Sequence, residues 1–270
     1  MIAHPRVVAT DLDGTLLRSD GSLSDRTRSA IAAVEAMGIE TVFVTARPPR
    51  WLDDLADAVG SHGIALCGNG AFVYDVTTRT VTEQYPIEDS LLRELVSELR
   101  RVVPDIAFAV ERADGLGRED TFVYRSEQPD VHSVGSLNSL ASSPVGKLLG
   151  RCETLASDAF LKSVLTVLDG RAELGYSGAS GLAEITAPGV TKAAGLERWC
   201  AERGLGPNDV WAFGDMPNDL PMLEWAGTGF AVSNAHTDVL KAAQFVCPAN
   251  DDDGVAQTLE NLYAELSRAD

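Results

Sequence analysis

Short apolar runs alternate with amphipathic stretches through the first third of the chain, and this alternation constrains the fold more than any other feature. Three runs are typical of buried strands: 6–10, 41–45 and 64–67. Residues 24–37 and 50–59 predict helices between them, with Ser24 as a capping residue and Gly38 at the end of the first helix. This order predicts parallel strands with helices on both faces of the sheet.

The last third of the chain repeats the pattern, so the same sheet is expected to continue there. Thr191 is expected to cap a helix over 191–203, and a short helix should end near 226. Residues 253–266 predict a closing helix with acidic residues at its favourable end. Further strands are predicted at 210–213, 229–232 and 245–247, and a hairpin at 72–75 and 80–84.

The middle of the chain has a different order of elements. Helices are predicted over 89–103 and 156–168. Strands are predicted at 106–111, 121–125, 145–151, 172–176 and 181–185. This order is typical of an α+β layer with an antiparallel sheet. We therefore expect a core domain of residues 1–85 and 186–270, with a second domain inserted at 86–185.

Two acidic residues, Asp11 and Asp13, directly follow the first predicted strand. Two acids at a strand end repel each other and cost desolvation energy, and a divalent cation is the usual compensation. A tight turn accounts for Asp13 followed by Gly14 but not for Asp11. The pair is therefore the first candidate for chemistry.

Further polar groups follow other predicted strands, and ligands of open α/β sheets bind at the carboxyl ends of the strands. These groups are Thr45, Ala46 and Arg47 after the second strand, Asp215, Asn218 and Asp219 after 210–213, and Lys192 in the first turn of a helix. Taken singly, they have structural explanations as a strand-end hydroxyl, a capping pair or a surface lysine. Taken together, they predict one shared site.

The segments DLDGT at 11–15, Thr45 after a buried strand, Lys192 and GDMPND at 214–219 resemble the four motifs of haloacid dehalogenase-like hydrolases. GNGA at 68–71, GVTKAAGL at 189–196 and the long insertion resemble the Cof-type branch. The resemblance implies an α/β fold, a Rossmann-like doubly wound parallel sheet with an inserted α+β cap domain. It also implies a Mg²⁺-dependent phosphatase of small phosphorylated metabolites such as sugar phosphates. Ala46 departs from the Thr-Gly-Arg sequence that this branch more often has, but keeps a small side chain.

The resemblance assigns a role to each candidate. Asp11 is the nucleophile that forms an aspartyl-phosphate, and Asp13 is the general acid and then the general base. Asp11, the backbone carbonyl of Asp13 and Asp215 are the expected Mg²⁺ ligands. Phosphate or substrate is expected to contact a group formed by Thr45, Ala46, Arg47, Lys192 and Asn218. Asn218 contacts phosphate or orients Lys192, and Asp219 holds a metal-bound water or Lys192.

Composition excludes some classes of partner. The 270 residues carry a net charge of −18, which argues against nucleic acid and anionic membrane surfaces as partners. No apolar run approaches the length of a signal peptide's core or of a membrane span, so we expect a cytoplasmic protein. The four cysteines form no CxxC pair and are expected to be buried free thiols: Cys67, Cys152, Cys200 and Cys247.

Two other functions share part of this pattern. A phosphomutase also forms an aspartyl-phosphate but returns the phosphoryl group to its substrate. A non-catalytic phospho-acceptor module also places an Asp, a Thr, a Lys and Mg²⁺ on a parallel sheet. Such modules lack an acid two residues after the acceptor, the position of Asp13, and need no insertion of about 100 residues.

Overall fold

The chain is described by a computed structural model over residues 4–55, 63–123 and 131–269. The described residues form fourteen strands: β1 (Val7–Thr10), β2 (Glu40–Val44), β3 (Ile64–Cys67), β4 (Phe72–Asp75), β5 (Thr80–Gln84), β6 (Ala107–Arg112), β7 (Gly115–Arg118), β8 (Val131–Val134), β9 (Lys147–Arg151), β10 (Glu173–Gly175), β11 (Leu182–Thr186), β12 (Val210–Gly214), β13 (Thr228–Val232) and β14 (Phe245–Cys247). They also form eight α-helices: α1 (Asp25–Glu35), α2 (Asp89–Val102), α3 (Leu137–Leu140), α4 (Ser157–Leu168), α5 (Lys192–Ala201), α6 (Leu220–Trp225), α7 (Thr237–Ala242) and α8 (Gly254–Ala269).

An eight-stranded sheet holds both ends of the chain, in the order β14-β13-β12-β1-β2-β3-β4-β5. Neighbouring strands from β14 to β3 are parallel, and β4 and β5 add an antiparallel hairpin at one edge. Every residue of β1, β12 and β13 is buried. Because successive side chains point to opposite faces, both faces of these strands are covered. The α/β class and the doubly wound parallel core predicted from the sequence are confirmed.

Local signals placed the first helix of this sheet correctly. The Ser24 side chain accepts a hydrogen bond from the Thr27 N–H at 3.0 Å and caps α1. Gly38, with φ +83°, ends the following turn in the left-handed conformation. Helix α1 packs against α8, which is also linked to it by the Arg26–Glu260 ion pair at 2.5 Å.

A six-stranded sheet occupies the middle of the chain, in the order β10-β11-β9-β6-β7-β8. All its pairs are antiparallel except the β7–β8 pair, which is parallel. Helices α2 and α4 pack on each other, and α2 buries a stripe of Leu92, Leu95, Val96 and Leu99. The predicted α+β layer is therefore present, with one parallel pair that the sequence did not indicate.

Two predicted elements are wrong in the described residues. Residues 121–123 are not a strand, and the strand lies earlier, at β7, whose glycines disguised it. A Cβ on Gly117 would lie 2.9 Å from Leu140, so close packing selects glycine there. In place of a helix over 50–59, two 3-10 turns span Pro49–Trp51 and Asp53–Leu55, with Leu52 N–H bonded to Pro49 O at 2.9 Å. Residues 56–59, and 124–125 of the predicted strand, lie outside the described residues.

The two sheets bear on the predicted division into domains without defining it. Strands β6–β11 all fall between residues 107 and 186, and the strands of the eight-stranded sheet fall within residues 7–84 and 210–247. The domain boundaries at 85/86 and 185/186 stay a prediction. All four cysteines are free and buried, as predicted. Among the described residues, the helices are too short or too polar to cross a lipid bilayer.

Candidate active site

The predicted site residues gather at the carboxyl ends of the central parallel strands. Strands β1 and β12 are neighbours with Thr10 opposite Phe213, so Asp11 and Asp215 emerge on adjacent strands. The Asp11 N–H extends this pairing with a 3.0 Å hydrogen bond to Phe213 O. Thr45 follows β2, the strand on the other side of β1. Chain order and parallel pairing therefore bring together residues that are about 200 positions apart in sequence.

Lys192 joins two of the acids. Its Nζ donates hydrogen bonds to Asp11 Oδ1 and Asp219 Oδ1, each at 2.7 Å. Lys192 is the first residue of α5, and the Thr191 hydroxyl caps this helix by accepting from the Ala194 N–H at 3.1 Å. The Lys192 side chain is only 2% exposed. A lysine in this position is therefore fixed by the helix start and by two charge-assisted hydrogen bonds.

Asp219 links Lys192 to the backbone of the loop after β12. Its Oδ2 accepts hydrogen bonds from the backbone N–H groups of Asp215 and Met216, at 3.1 and 3.0 Å. Because Oδ1 is taken by Lys192, both oxygens of Asp219 have protein donors. This arrangement agrees with the predicted role of holding Lys192, and it leaves the loop after β12 closely tied to the lysine.

The residues at this edge of the sheet fit a bound cation. One carboxylate oxygen from each of Asp11, Asp215 and Asp219 lies within 4.8 Å of the others, and all three residues are buried. Asp215 Oδ1 also accepts from the Thr15 hydroxyl at 3.0 Å. Carboxylates this close repel one another unless a proton or a cation lies between them. Three buried carboxylates against one ammonium leave an excess of negative charge that a divalent cation would balance.

The pKa values of Asp11, Asp215 and Lys192 reflect the same excess of negative charge. Burial raises the pKa of Asp11 well above its usual range, and the charges of Asp219 and Asp215 add to the rise against Lys192. Burial, with the charge of Asp219, raises the pKa of Asp215 to about 6. Burial alone would lower the pKa of Lys192, but its two carboxylate partners raise it above the usual range, so the lysine stays charged.

Gly14 allows the loop after β1 to pass close to the acids. Its φ is +77°, a left-handed conformation that favours glycine, and a Cβ there would lie 2.5 Å from Asp215 Oδ2. Any larger residue would push against a candidate metal ligand. Both the backbone conformation and the space at the site therefore require the glycine of the DLDGT segment.

Asp13 lies outside the buried cluster and faces the open side of the site. Its side chain is 60% exposed, and Arg47 forms a two-pronged ion pair with it through Nε and Nη2, at 2.7 and 2.6 Å. The buried Thr45 hydroxyl accepts from the Arg47 N–H at 3.1 Å. Ala46 presents its carbonyl oxygen to Lys147 of the six-stranded sheet at 2.9 Å. Asp13, Ala46 and Arg47 therefore line one wall of the site, and the buried Thr45 hydroxyl is bonded to the Arg47 backbone.

A cavity of about 210 Å³ lies between the two sheets over these residues. Asp11, Asp13, Ala46, Arg47, Lys192 and Asn218 line one side. The other side carries buried charged groups that the sequence reasoning missed: Glu111, Lys147 and Glu184. Trp51 also lines the cavity.

Each of these missed charges has a partner of opposite charge. Glu111 accepts from both Arg50 Nε and Nη2, at 3.3 and 2.8 Å, and burial raises its pKa in spite of this partner. Lys147 pairs with Glu184, which also accepts from the Ser177 hydroxyl. A signal was present in the sequence, because each of these charges interrupts or flanks a short apolar strand. An isolated charge in such a run is expensive to bury without a purpose.

Comparison with known proteins identifies relatives across the whole chain. A family model described as haloacid dehalogenase-like hydrolase matches residues 8–259, which confirms the family resemblance inferred from the motifs. The chain is 30% identical to the pyridoxal phosphate phosphatase YbhA of Escherichia coli, over 97% of this chain and 98% of the relative. It is 29% identical to a phosphoglycolate phosphatase of Methanopyrus kandleri, over 96% and 98% of the two chains.

The fold has a close match among solved structures. The structure of BT1666, a phosphatase of the haloalkanoate (HAD) enzyme superfamily from Bacteroides thetaiotaomicron, superposes with a TM-score of 0.81 at 25% identity. The match covers 96% of this chain and 95% of that chain. Both sheets are therefore included in the shared architecture.

Proposed function

We propose, from the premise that this chain belongs to the haloacid dehalogenase-like hydrolase family, that it is a Mg²⁺-dependent phosphatase of small phosphorylated metabolites acting through an aspartyl-phosphate. The observation that carries the proposal is the buried Lys192 between Asp11 and Asp219, with a carboxylate oxygen of Asp215 within 4.8 Å of one from Asp11. This arrangement holds a nucleophilic carboxylate, a fixed cation and a candidate metal site together at one sheet edge.

Asp11 and Asp215 are the side chains that would hold Mg²⁺, with the backbone carbonyl of Asp13 as the third protein ligand carried by the family resemblance. Asp219 is the less suitable ligand, because both its oxygens already accept from protein donors. When bound, Mg²⁺ would reduce the repulsion between an anionic nucleophile and a dianionic phosphate.

The side chains then divide the chemistry. Asp11 attacks phosphorus and forms the acyl phosphate, while Lys192 and the Thr45 hydroxyl stabilise charge on the phosphoryl oxygens. Asp13, on the exposed side of the site, gives a proton to the leaving oxygen and later takes one from the attacking water. Arg47, now paired with Asp13, is placed to exchange that carboxylate for a phosphate oxygen.

The cavity supports a small, neutral and hydroxyl-bearing leaving group. Its far side holds two buried carboxylates, but Arg50 neutralises Glu111 and Lys147 neutralises Glu184. A leaving group with a net charge would disturb this balance, whereas hydroxyl groups both donate and accept hydrogen bonds. A cavity of about 210 Å³ has room for a leaving group the size of a small metabolite. Relatives named as pyridoxal phosphate and phosphoglycolate phosphatases act on compounds of that size.

The test is phosphate release from an aryl phosphate by the purified protein in Mg²⁺. We expect turnover that EDTA abolishes and excess Mg²⁺ restores, and no turnover in Asp11→Asn. The exposed Asp25→Asn variant is the matched control and should retain wild-type rates. Full activity in Asp11→Asn, or activity that resists chelation, would refute the mechanism. A stable phosphoenzyme without release would instead favour the non-catalytic acceptor.

The leaving-group proposal is tested with three alkyl phosphates of similar size under the same conditions. Glycerol 3-phosphate, which has a neutral leaving group with hydroxyl groups, should show a higher kcat/KM than phosphoglycolate, which has an anionic leaving group, or phosphoethanolamine, which has a cationic one. Preference for either charged compound would contradict the charge balance described above.

A further inference from the structure

Asn69 occupies an unusual position between the two sheets. It lies in the turn after β3, is buried, and has φ +61°, a conformation that asparagine tolerates better than most residues. Its N–H donates to Thr45 O at 3.0 Å, so its backbone is tied to the loop that carries a proposed phosphate ligand. Its side chain reaches in the other direction, toward the six-stranded sheet.

The six-stranded sheet has space for this side chain because of a glycine. A Cβ on Gly175 of β10 would lie only 2.6 Å from Asn69 Nδ2. Gly175 pairs in register with Glu184 of β11, and Glu184 Oε2 accepts from the same Nδ2 at 3.2 Å. The Asn69 amide therefore lies against the paired residues Gly175 and Glu184. The glycine leaves space for the amide, and the Glu184 carboxylate accepts its hydrogen bond.

The Glu184 carboxylate determines how the Asn69 amide is oriented. The Glu184 carboxylate, paired with Lys147, accepts hydrogen bonds but donates none, so Asn69 must turn Nδ2 toward it. Asn69 then presents Oδ1 on its other side, where it accepts from Asn218 Nδ2 at 3.4 Å. Asn218 in turn is left with Oδ1, which is buried and has no hydrogen-bond partner within the described residues.

Taking the phosphatase function as the basis, we propose that Asn69 is a positioning residue. Because Glu184 accepts from Asn69 Nδ2, Asn69 Oδ1 is left to accept from Asn218, and this relay of hydrogen bonds fixes the orientation of the Asn218 amide in the active site. In this relay, the six-stranded sheet determines that Asn218 offers a carbonyl oxygen, and not an amide N–H, to the loaded site. Phosphate oxygens accept hydrogen bonds, so this oxygen is suited to an O–H donor, from water or from a substrate hydroxyl. A buried acceptor without a donor is costly, and the donor arrives with the substrate.

A double-mutant cycle separates this relay from a purely structural role. Asn69→Gly removes the side chain but keeps the left-handed backbone free of strain, and Asn218→Ala removes the receiving group. With an aryl phosphate and Mg²⁺, Asn69→Gly should lower kcat/KM about 3- to 10-fold, the effect of one hydrogen bond. In the Asn218→Ala background the same change should cost less than about 1.5-fold. Asp169→Gly, another left-handed residue, is the control for the backbone change.

A swap of chemical groups provides the second arm. Asn69→Asp alone places two carboxylates against each other and should lower kcat/KM about tenfold or more. Adding Glu184→Gln restores a hydrogen bond in which the amide at position 184 donates and the carboxylate at position 69 accepts. The residue at position 69 still accepts from Asn218. The double variant should therefore recover to within about threefold of wild type. Glu119→Gln, which alters another ion-paired carboxylate directly after β7, should rescue nothing.

The outcomes distinguish the relay from the proposed function. Absence of wild-type turnover would reject the phosphatase proposal, and the same cycle would then be measured as orthophosphate affinity in Mg²⁺ by calorimetry. Equal losses from Asn69→Gly in both backgrounds, or no loss in either, would overturn the relay while leaving the phosphatase function intact. If Asn69→Gly does not fold, the swap decides alone, and failure of Glu184→Gln to rescue Asn69→Asp would overturn the relay.

Discussion

Replacing Asp215 by asparagine should make the metal-free protein more stable, although it removes a proposed metal ligand. Burial, with the charge of Asp219, raises the pKa of Asp215 from 3.8 to about 6. An acid whose folded-state pKa is raised destabilises the fold once it ionises. This penalty is absent below pH 3.8, develops as the pH rises toward 6, and is complete above pH 6.

The size of the effect follows from the shift. A rise of about two pKa units corresponds to about 3 kcal/mol of unfolding free energy, at about 1.4 kcal/mol per unit. Asparagine keeps an Oδ1 that can accept from the Thr15 hydroxyl, so the substitution removes mainly the charge. For a chain of this size, about 3 kcal/mol corresponds to a rise in Tm of roughly 6–12 °C.

The assay is urea and thermal unfolding in EDTA between pH 4 and pH 8. The stability difference between Asp215→Asn and wild type should be small at pH 4 and should grow toward about 3 kcal/mol at pH 8. Mg²⁺ should then stabilise the wild type and leave the variant nearly unchanged, because only the wild type keeps both carboxylate ligands.

Asp253→Asn is the control of opposite sign. Its hydrogen bond from Arg18 lowers the pKa of Asp253, so this carboxylate stabilises the fold above its unfolded pKa and loses that contribution as pH falls. Asp253→Asn should therefore destabilise the protein at pH 8. An Asp215→Asn variant that is less stable than wild type in EDTA at pH 8, or a difference that does not vary with pH, would refute the electrostatic reasoning.

Two other substitutions test individual parts of the site. Asp13→Asn should lower kcat on alkyl phosphates about 10²- to 10⁴-fold. The variant should still release one burst of dinitrophenol from dinitrophenyl phosphate, because that leaving group needs no proton. Undiminished turnover of alkyl phosphates would exclude Asp13 as the general acid. Gly14→Ala should lose at least tenfold in kcat/KM, because its Cβ would lie 2.5 Å from Asp215 Oδ2, whereas Gly21→Ala has a similar φ of +81° and nothing within 4 Å. Measuring kcat/KM and Tm for both glycine variants checks this, and equal losses of activity would contradict it.

Much of the fold is specified by signals that act over a few residues. The Ser24 cap and Gly38 define the limits of the first helix, and Ile64–Cys67 forms a strand with the bounds that its apolar run predicted. The order of strands and helices implies parallel pairing, and parallel pairing places Asp11 beside Asp215. The sequence therefore predicts that the proposed nucleophile Asp11 and the proposed metal ligand Asp215 lie together.

Other features depend on which surfaces meet. The strand at Gly115–Arg118 contains two glycines and no local strand signal, and it forms because Leu140 and neighbouring strands pack against it. Glu111 and Lys147 reveal their role only when the register of β6 and β9 places them opposite each other above the cavity.

Local sequence determined the cap of the first helix, the turn that ends it and most strands of the eight-stranded sheet, and chain order determined which acids share a sheet edge. Tertiary structure decided how the second sheet faces that edge, and so which of its charges are buried there and how the amides of Asn69 and Asn218 are turned. The physical reason is that backbone propensities act between near neighbours. A hydrogen-bond orientation, in contrast, is set by partners that only the folded chain brings within 3–4 Å.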